Sequence, residues 1–219
     1  MTSGRTRTSG VTLAVIAGGA GSRMGVPKHK LRIEDKPILE WLLRKWCWDG
    51  PTMLVVSADR PRVDGEELLD AVVADSTAGE GPLLGILTAL AGSTTDQLIA
   101  APIDMPNLGF EQFAWLADRS RDPGAGQMVF VKSATAGLEP FPALYSVEAL
   151  AIIRELFDRG ERSLRRLAAV PQSRVLDAPN HWSDGVWLNL NTPEDLARIQ
   201  AAVDRPPTPP YPHEARDRS

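Results

Sequence analysis

Between Val11 and Lys28 the chain changes character abruptly, and this junction restricts the fold more than any other segment. Val11–Ala17 is an apolar run interrupted only by Thr12, and it passes directly into Gly18-Gly19-Ala20-Gly21-Ser22-Arg23-Met24-Gly25-Val26-Pro27-Lys28. A short apolar run with glycines at its end reads as a strand buried on both faces of a largely parallel sheet. Glycines after such a strand let backbone N–H groups approach phosphates without interference from Cβ. Arg23 and Lys28 add positive charge where a polyphosphate would lie. Two common phosphate loops fail against the residues. The dinucleotide fingerprint G-x-G-x-x-G needs glycine where Met24 stands, and its acidic partner at the end of a second strand about 20 residues on is missing. The P-loop needs Gly-Lys-Ser/Thr, whereas Gly25 is followed by Val26-Pro27. A plain strand–helix turn leaves four glycines and two cations in one short loop unexplained.

Further along, short aliphatic runs alternate with helical patterns. Strands are expected at Val11–Ala17, Met53–Val56, Ala71–Ala74, Leu98–Ala101, Gln127–Val131, Ala143–Tyr145, Arg174–Leu176 and Trp187–Leu190. Ile38, Trp41, Leu42 and Trp46 recur at the spacing of one helix face, as do Leu83, Leu87 and Leu90, and then Leu150, Ile153, Leu156 and Phe157. The last helix is marked by Thr192 as N-cap, Pro193 at the first helical position and Asp195 at the capping-box position. The alternation predicts an α/β three-layer, Rossmann-like fold around a central, mostly parallel mixed sheet. No linker or repeat interrupts residues 11–203, which read as one domain. Residues 1–10 are small and polar, and residues 204–219 are Pro-rich and charged; both are expected to be disordered tails.

Composition removes several classes of function. With 24 Lys+Arg against 28 Asp+Glu, the formal net charge of -4 argues against nucleic-acid binding through bulk charge. A single cysteine, Cys47, excludes an intramolecular disulfide framework and a Cys-rich zinc site, and reads as a buried small hydrophobe. Three dispersed histidines show no metal-ligand spacing; His29, beside Lys28, could face phosphate. Arg5 and Arg7 before the first apolar run imitate a signal peptide, but that run is short and feeds the glycine loop. No stretch reaches the roughly 20 apolar residues of a membrane span, so a cytoplasmic protein is expected.

Ile16-Ala17-Gly18-Gly19, Ser22-Arg23-Met24-Gly25 and Pro27-Lys28 resemble the signature of the molybdenum cofactor nucleotidyltransferases, within the nucleoside-triphosphate transferase superfamily. Further segments follow in the family's order: Gly81-Pro82-Leu83-Leu84-Gly85-Ile86, Asp104-Met105-Pro106, and Asn189-Leu190-Asn191-Thr192-Pro193-Glu194-Asp195-Leu196. Pro140-Phe141-Pro142-Ala143-Leu144-Tyr145 is similar to a further family stretch, with Phe141 in place of Leu. The resemblance covers roughly residues 11–203 and is best for the guanylyltransferases, which join GMP from GTP to molybdopterin and release pyrophosphate.

The resemblance implies a role for particular residues. Asp104, at the end of the apolar run Leu98–Ala101, would stand at the carboxyl edge of the sheet and hold Mg²⁺, which usually takes one or two carboxylates plus phosphate and water oxygens. Lys28 and Arg23 would neutralise the triphosphate. Ile16, Ala17, Gly18 and Gly19 would offer backbone groups to GTP, with Ser57 and Asp75 at strand ends toward the base. Asp59 departs from the asparagine common at its position and reads equally as a turn former. Asn189 and Asn191, alternating with leucines, would present two amides on the molybdopterin side. Trp41 and Trp46 fall in a helical pattern and read as core, while Trp182 and Trp187 are candidates for a substrate wall. No general base is needed, because a phosphate nucleophile with a second pKa of about 6 is largely deprotonated at pH 7. Expected partners are GTP and the molybdenum cofactor, with molybdoenzyme apoproteins or cofactor-delivery proteins downstream, and neither nucleic acid nor membrane. The rival readings are the cytidylyltransferase for the same cofactor, a sugar-phosphate nucleotidyltransferase, and a non-catalytic protein that binds nucleotide and delivers cofactor.

Overall fold

The computed structural model describes residues 10–17, 25–59, 62–122, 124 and 126–203. Gly18, Gly19 and Arg23, and all but Gly10 of the two expected tails, lie outside the described residues. Nine strands form among the described residues: β1 Val11–Ile16, β2 Arg32–Ile33, β3 Lys36–Pro37, β4 Thr52–Val56, β5 Ala71–Ala74, β6 Gln97–Pro102, β7 Met128–Ser133, β8 Gly137–Ser146 and β9 Ser173–Asp177. The α-helices are α1 Ile38–Trp46, α2 Pro82–Gly92, α3 Phe110–Arg119, α4 Ala149–Asp158, α5 Leu164–Leu167 and α6 Pro193–Val203. No helix among the described residues is long and apolar enough to cross a membrane.

Seven strands share one sheet in the order β5-β4-β1-β6-β8-β7-β9. β5, β4, β1 and β6 run parallel, β8 is antiparallel to both β6 and β7, and β9 pairs parallel with β7. The mostly parallel mixed sheet expected from the sequence is therefore present. Every residue of β1 is buried, as a strand covered on both faces requires. Its side chains alternate between two cores. Leu13, Val15 and Ala17 join one core with α1, α3 and α6, while Ala14 and Ile16 join the other with α2, α4 and α5. This is the three-layer arrangement.

The chain leaves β1 for β4 and β5 on one side, then returns across to β6 on the other. The reversal makes the β1–β6 junction a topological switch point, where the connecting segments diverge and leave a crevice at the carboxyl ends of the strands.

Several details differ from the sequence expectations. Trp187–Leu190 is not a strand: Asp184–Trp187 forms a 3-10 turn, and the chain then runs extended without sheet partners. Trp182 and Trp187 are core rather than a substrate wall. They are buried and in ring contact, Trp115 edge-on to Trp182 at 5.3 Å between centroids and Trp182 tilted against Trp187 at 6.0 Å. Cys47 is exposed, because α1 has already spent its buried face by Trp46 and Cys47 ends the helix in the left-handed region at φ 47°. α3 gives no sign in the periodicities above. Neither does the β2–β3 hairpin, whose turn puts Glu34 and Asp35 at φ 50° and 59° without the Asn or Gly that usually announces such a turn.

Candidate functional site

The four parallel strands deliver their C-terminal residues to one edge. Ala17 follows β1, Ser57 follows β4, Asp75 follows β5, and Asp104 stands two residues beyond β6. The backbone ties this edge together. The Ala17 N–H donates to the Val55 carbonyl at 3.0 Å, the Asp75 N–H to the Val56 carbonyl at 2.9 Å, and the Ile103 N–H to the Ile16 carbonyl at 3.1 Å. The Ala17 N–H and one acceptor position of the Ile16 carbonyl are thus engaged by the sheet.

Asp104 is fixed by its neighbours. Ile103 and Met105 are buried on either side, which leaves the intervening carboxylate at the edge with 18% of its side chain exposed. Its own backbone carbonyl accepts the N–H of Leu190 at 2.8 Å. Leu190 is fully buried, so this bond, made across the end of the sheet, places Asn191 beside Asp104. Lys28 arrives from a third direction. It opens the 3-10 turn Lys28–Lys30, held by the Lys30 N–H on the Pro27 carbonyl at 2.9 Å and anchored by the buried side chains of His29 and Leu31. His29 itself is buried, with 4% of its surface exposed.

These three segments meet in one hydrogen-bonded group. The Lys28 ammonium donates to Asp104 Oδ2 in an ion pair and to Asn191 Oδ1 at 2.9 Å. Asn191 is in turn held from the backbone side by the start of α6. Asp195 Oδ2 accepts the N–H groups of Asn191 at 3.1 Å and Thr192 at 3.0 Å, while the Asp195 N–H donates to Thr192 Oγ1 at 3.2 Å. This is the reciprocal capping box expected from the sequence. Hydrogen bonds from the Asn191 and Thr192 backbone hold the Asp195 carboxyl below the usual carboxylate range.

The nucleobase end is more loosely assembled. Ser57 Oγ donates to Asp59 Oδ1 at 2.9 Å, so Asp59 closes the turn after β4. Asp75 Oδ1 accepts the Thr88 hydroxyl at 2.6 Å. Partial burial pushes the Asp75 carboxyl up, and the Thr88 hydrogen bond pulls it back down. Thr88 carries no sequence signal, because a threonine between leucines in a helix looks like any other helix position. α2 begins at Pro82 after Gly81, whose φ of 81° and ψ of 179° suit glycine alone. Further along the helix, a Cβ on Gly85 would stand 3.5 Å from Ile16 Cγ2, so α2 lies close against the end of β1.

Asn189 and Asn191 have different hydrogen-bond partners. The Asn189 amide donates to the Trp187 carbonyl at 3.1 Å and stabilises the local turn, whereas Asn191 reaches Lys28. Nothing in the sequence pointed to the Lys28–Asn191 contact, made between residues 163 positions apart.

The donor set fits a divalent ion that keeps most of its shell from substrate. Among the described residues no three His, Cys, Asp or Glu side chains gather as a cage. Asp104 presents a single hard carboxylate at the switch point, which suits Mg²⁺ or Mn²⁺ shared with phosphate oxygens and water.

The family model described as MobA-like NTP transferase domain matches residues 13–178. A probable molybdenum cofactor guanylyltransferase of Opitutus terrae is 32% identical over 196 residues, covering 84% of this chain and 92% of the relative. The molybdopterin-guanine dinucleotide biosynthesis protein A of Archaeoglobus fulgidus superposes with a TM-score of 0.69 at 23% identity, covering 88% of this chain and 98% of that one. Rv0371c of Mycobacterium tuberculosis, solved in complex with manganese, superposes with a TM-score of 0.55 at 19% identity over 88% of this chain and 98% of its own. The two structural likenesses establish a shared fold, and the family model and the Opitutus relative go further: the chain belongs to the family of MobA-like NTP transferase domains.

Proposed function

We propose that this protein transfers GMP from GTP to the terminal phosphate of molybdenum-molybdopterin, forming the guanine dinucleotide cofactor and releasing pyrophosphate. The observation that carries this reading is the meeting of Lys28, Asp104 and Asn191 at the switch point of a MobA-like sheet. GTP lies across the carboxyl edge, its triphosphate over the loop after β1 and its base toward Ser57 and Asp75. Gly18, Gly19 and Arg23 belong to that loop and are assigned to the triphosphate on the sequence alone.

In the reaction an oxygen of the molybdopterin phosphate attacks the α-phosphorus of GTP. The bond from that phosphorus to the β-phosphate oxygen breaks, and the electron pair leaves with pyrophosphate. Phosphorus transfer of this kind is mostly positioning and charge neutralisation. Lys28 supplies a mobile point charge for the phosphates, and Arg23 a planar donor fork. A divalent ion on Asp104, Mg²⁺ in the cell, would neutralise charge on phosphate oxygens and orient the α-phosphate. The attacking phosphate is already largely deprotonated at neutral pH, so the site requires no general base. In this reading Asp75 accepts the N–H donors on the guanine edge, and Asn191 faces the pterin phosphate. We assign the reaction to the cytoplasm, with the product passing to molybdoenzyme apoproteins or to cofactor-delivery proteins.

The direct test is pyrophosphate release from GTP in the presence of molybdenum-molybdopterin and Mg²⁺, with CTP and ATP alongside. The reading expects turnover with GTP alone, loss of at least tenfold in Lys28→Ala, equivalent to about 1.4 kcal/mol, and greater loss in Asp104→Ala. Turnover with CTP in place of GTP would move the assignment to the cytidylyltransferase. Nucleotide binding without pyrophosphate release under any condition would leave a cofactor-delivery role.

A further inference from the structure

Lys28 rests on the one carboxylate that the proposed reaction needs for its metal, and the inference here builds on that metal assignment. The ammonium contacts Asp104 Oδ2 and Asn191 Oδ1, and each partner of the ion pair has only 18% of its side chain exposed. An ion pair so sheltered is weakly screened, unlike one on an open surface. A divalent cation approaching Asp104 meets a carboxylate whose charge is already neutralised, with a positive charge in direct contact. An ammonium has three donors, two of which are used here, so one remains for a phosphate oxygen. Asn191 is a neutral acceptor. It can keep hold of the ammonium while the carboxylate is given up, because it does not compete for it by charge.

We propose that Lys28 is a placeholder for the metal: it occupies Asp104 in the nucleotide-free protein and swings, tethered by Asn191, onto the triphosphate as metal and nucleotide enter together. Lys28 therefore does two jobs, one before binding and one after. The resting protein rejects free divalent ions, and the metal site opens when a triphosphate is present to receive the ammonium. By linkage the effect is mutual, each ligand raising the affinity for the other by the same factor. Asn191 is a positioning residue in this scheme, acting on the metal site through Lys28. Its backbone is held by Asp195, so the tether starts from a fixed point.

The test is a titration of Mn²⁺ alone, with free ion followed by electron paramagnetic resonance, into the full chain without nucleotide. Wild type is compared with Lys28→Met, which keeps the aliphatic stem and removes the charge, and with Asn191→Ala. Lys28→Met should bind Mn²⁺ about tenfold more tightly than wild type, as expected for removing a positive charge in contact with the ligand. Asn191→Ala should shift in the same direction by about threefold, since a loosened ammonium is a weaker competitor than one held in place. Lys28→Met combined with Asp104→Asn should lose the gain. Adding a non-hydrolysable GTP analogue should tighten Mn²⁺ strongly in wild type and much less in Lys28→Met. A merely structural role for Lys28 would lower Mn²⁺ binding or leave it unchanged. Equal Mn²⁺ affinity in wild type and Lys28→Met, both folded by circular dichroism, overturns the placeholder role; if Asp104→Asn still abolishes Mn²⁺ binding with the analogue present, the metal assignment survives that result. If Asp104→Asn leaves Mn²⁺ binding with the analogue intact, both fall.

Discussion

Replacing Asp195 with alanine removes a carboxylate that serves the fold and the site at once. Its Oδ2 accepts two backbone N–H groups, from Asn191 at 3.1 Å and Thr192 at 3.0 Å, at the entrance to α6. Loss of a helix N-terminal cap costs about 0.5–2 kcal/mol. Two donors lose their acceptor here, so the upper half of that range, about 1–2 kcal/mol, is expected. For a domain of this size each kcal/mol lowers the midpoint by roughly 2–4 °C, giving a fall of about 2–8 °C in thermal unfolding. The pH dependence has a definite sign. The Asp195 carboxyl is held below its ordinary value of 3.8 by those same backbone hydrogen bonds. A depressed carboxylate contributes stability that is fully present above the unfolded value and lost as the pH falls through the folded one. The gap between wild type and Asp195→Ala in urea unfolding should therefore be constant from pH 7 to pH 5 and close only below pH 3.8. Asp195→Asn, which keeps one acceptor without the charge, should fall between the two. A gap that closes between pH 7 and pH 5, or no gap at all, would refute the assignment of the cap to the ionised carboxylate.

Thr88→Val removes the hydroxyl that donates to Asp75 at 2.6 Å, leaving burial to raise the Asp75 carboxyl unopposed; GTP binding in a fluorescence titration should therefore weaken as the pH falls, and at higher pH in the variant than in wild type, whereas pH-independent binding would count against Asp75 as a base-recognition residue. Gly81→Ala should cost about 1–3 kcal/mol in denaturant unfolding, for conformational reasons only, because the φ of 81° is forbidding while the nearest atom to an added Cβ is 3.8 Å away; stability equal to wild type would show that the turn before α2 can be rebuilt. Tyr145→Phe should leave the chain as stable or raise its stability by up to about 1 kcal/mol, because the Tyr145 hydroxyl is buried without a hydrogen-bond partner among the described residues and an apolar isostere avoids its desolvation; a loss above about 1 kcal/mol would mean that the hydroxyl has a partner in solution.

The sequence by itself determined where the seven strands of the main sheet fall, because that information is local. A buried strand needs a short apolar run, and Val11–Ile16, Met53–Val56 and Leu98–Ala101 supply one each. Asp104 is legible at the carboxyl edge for the same reason, as it follows the end of its run by a fixed few residues. The capping box at Thr192–Asp195 is a pattern that one turn of backbone imposes. Motif order carried the family reading. The tertiary structure alone decided which chemistry-bearing side chains meet. Lys28 could be assigned a phosphate from its place after the glycine loop, but its resting partners, Asp104 and Asn191, lie 76 and 163 residues away. That meeting depends on the strand order around β1 and on the Leu190 N–H bonding to the Asp104 carbonyl, neither of which has a local signature. Local pattern also misled at Trp187–Leu190, where alternation of leucine and asparagine imitates a strand. A strand needs a neighbouring strand to pair with, and this segment bonds instead through the Leu190 N–H to the Asp104 carbonyl, beyond the end of β6. Likewise the tryptophans at 182 and 187 were drawn into the core by Trp115, from a helix that no periodicity announced. Local pattern sets what each segment can be; the packing of segments distant in sequence sets which side chains share a site, because that depends on the summed burial of the whole chain.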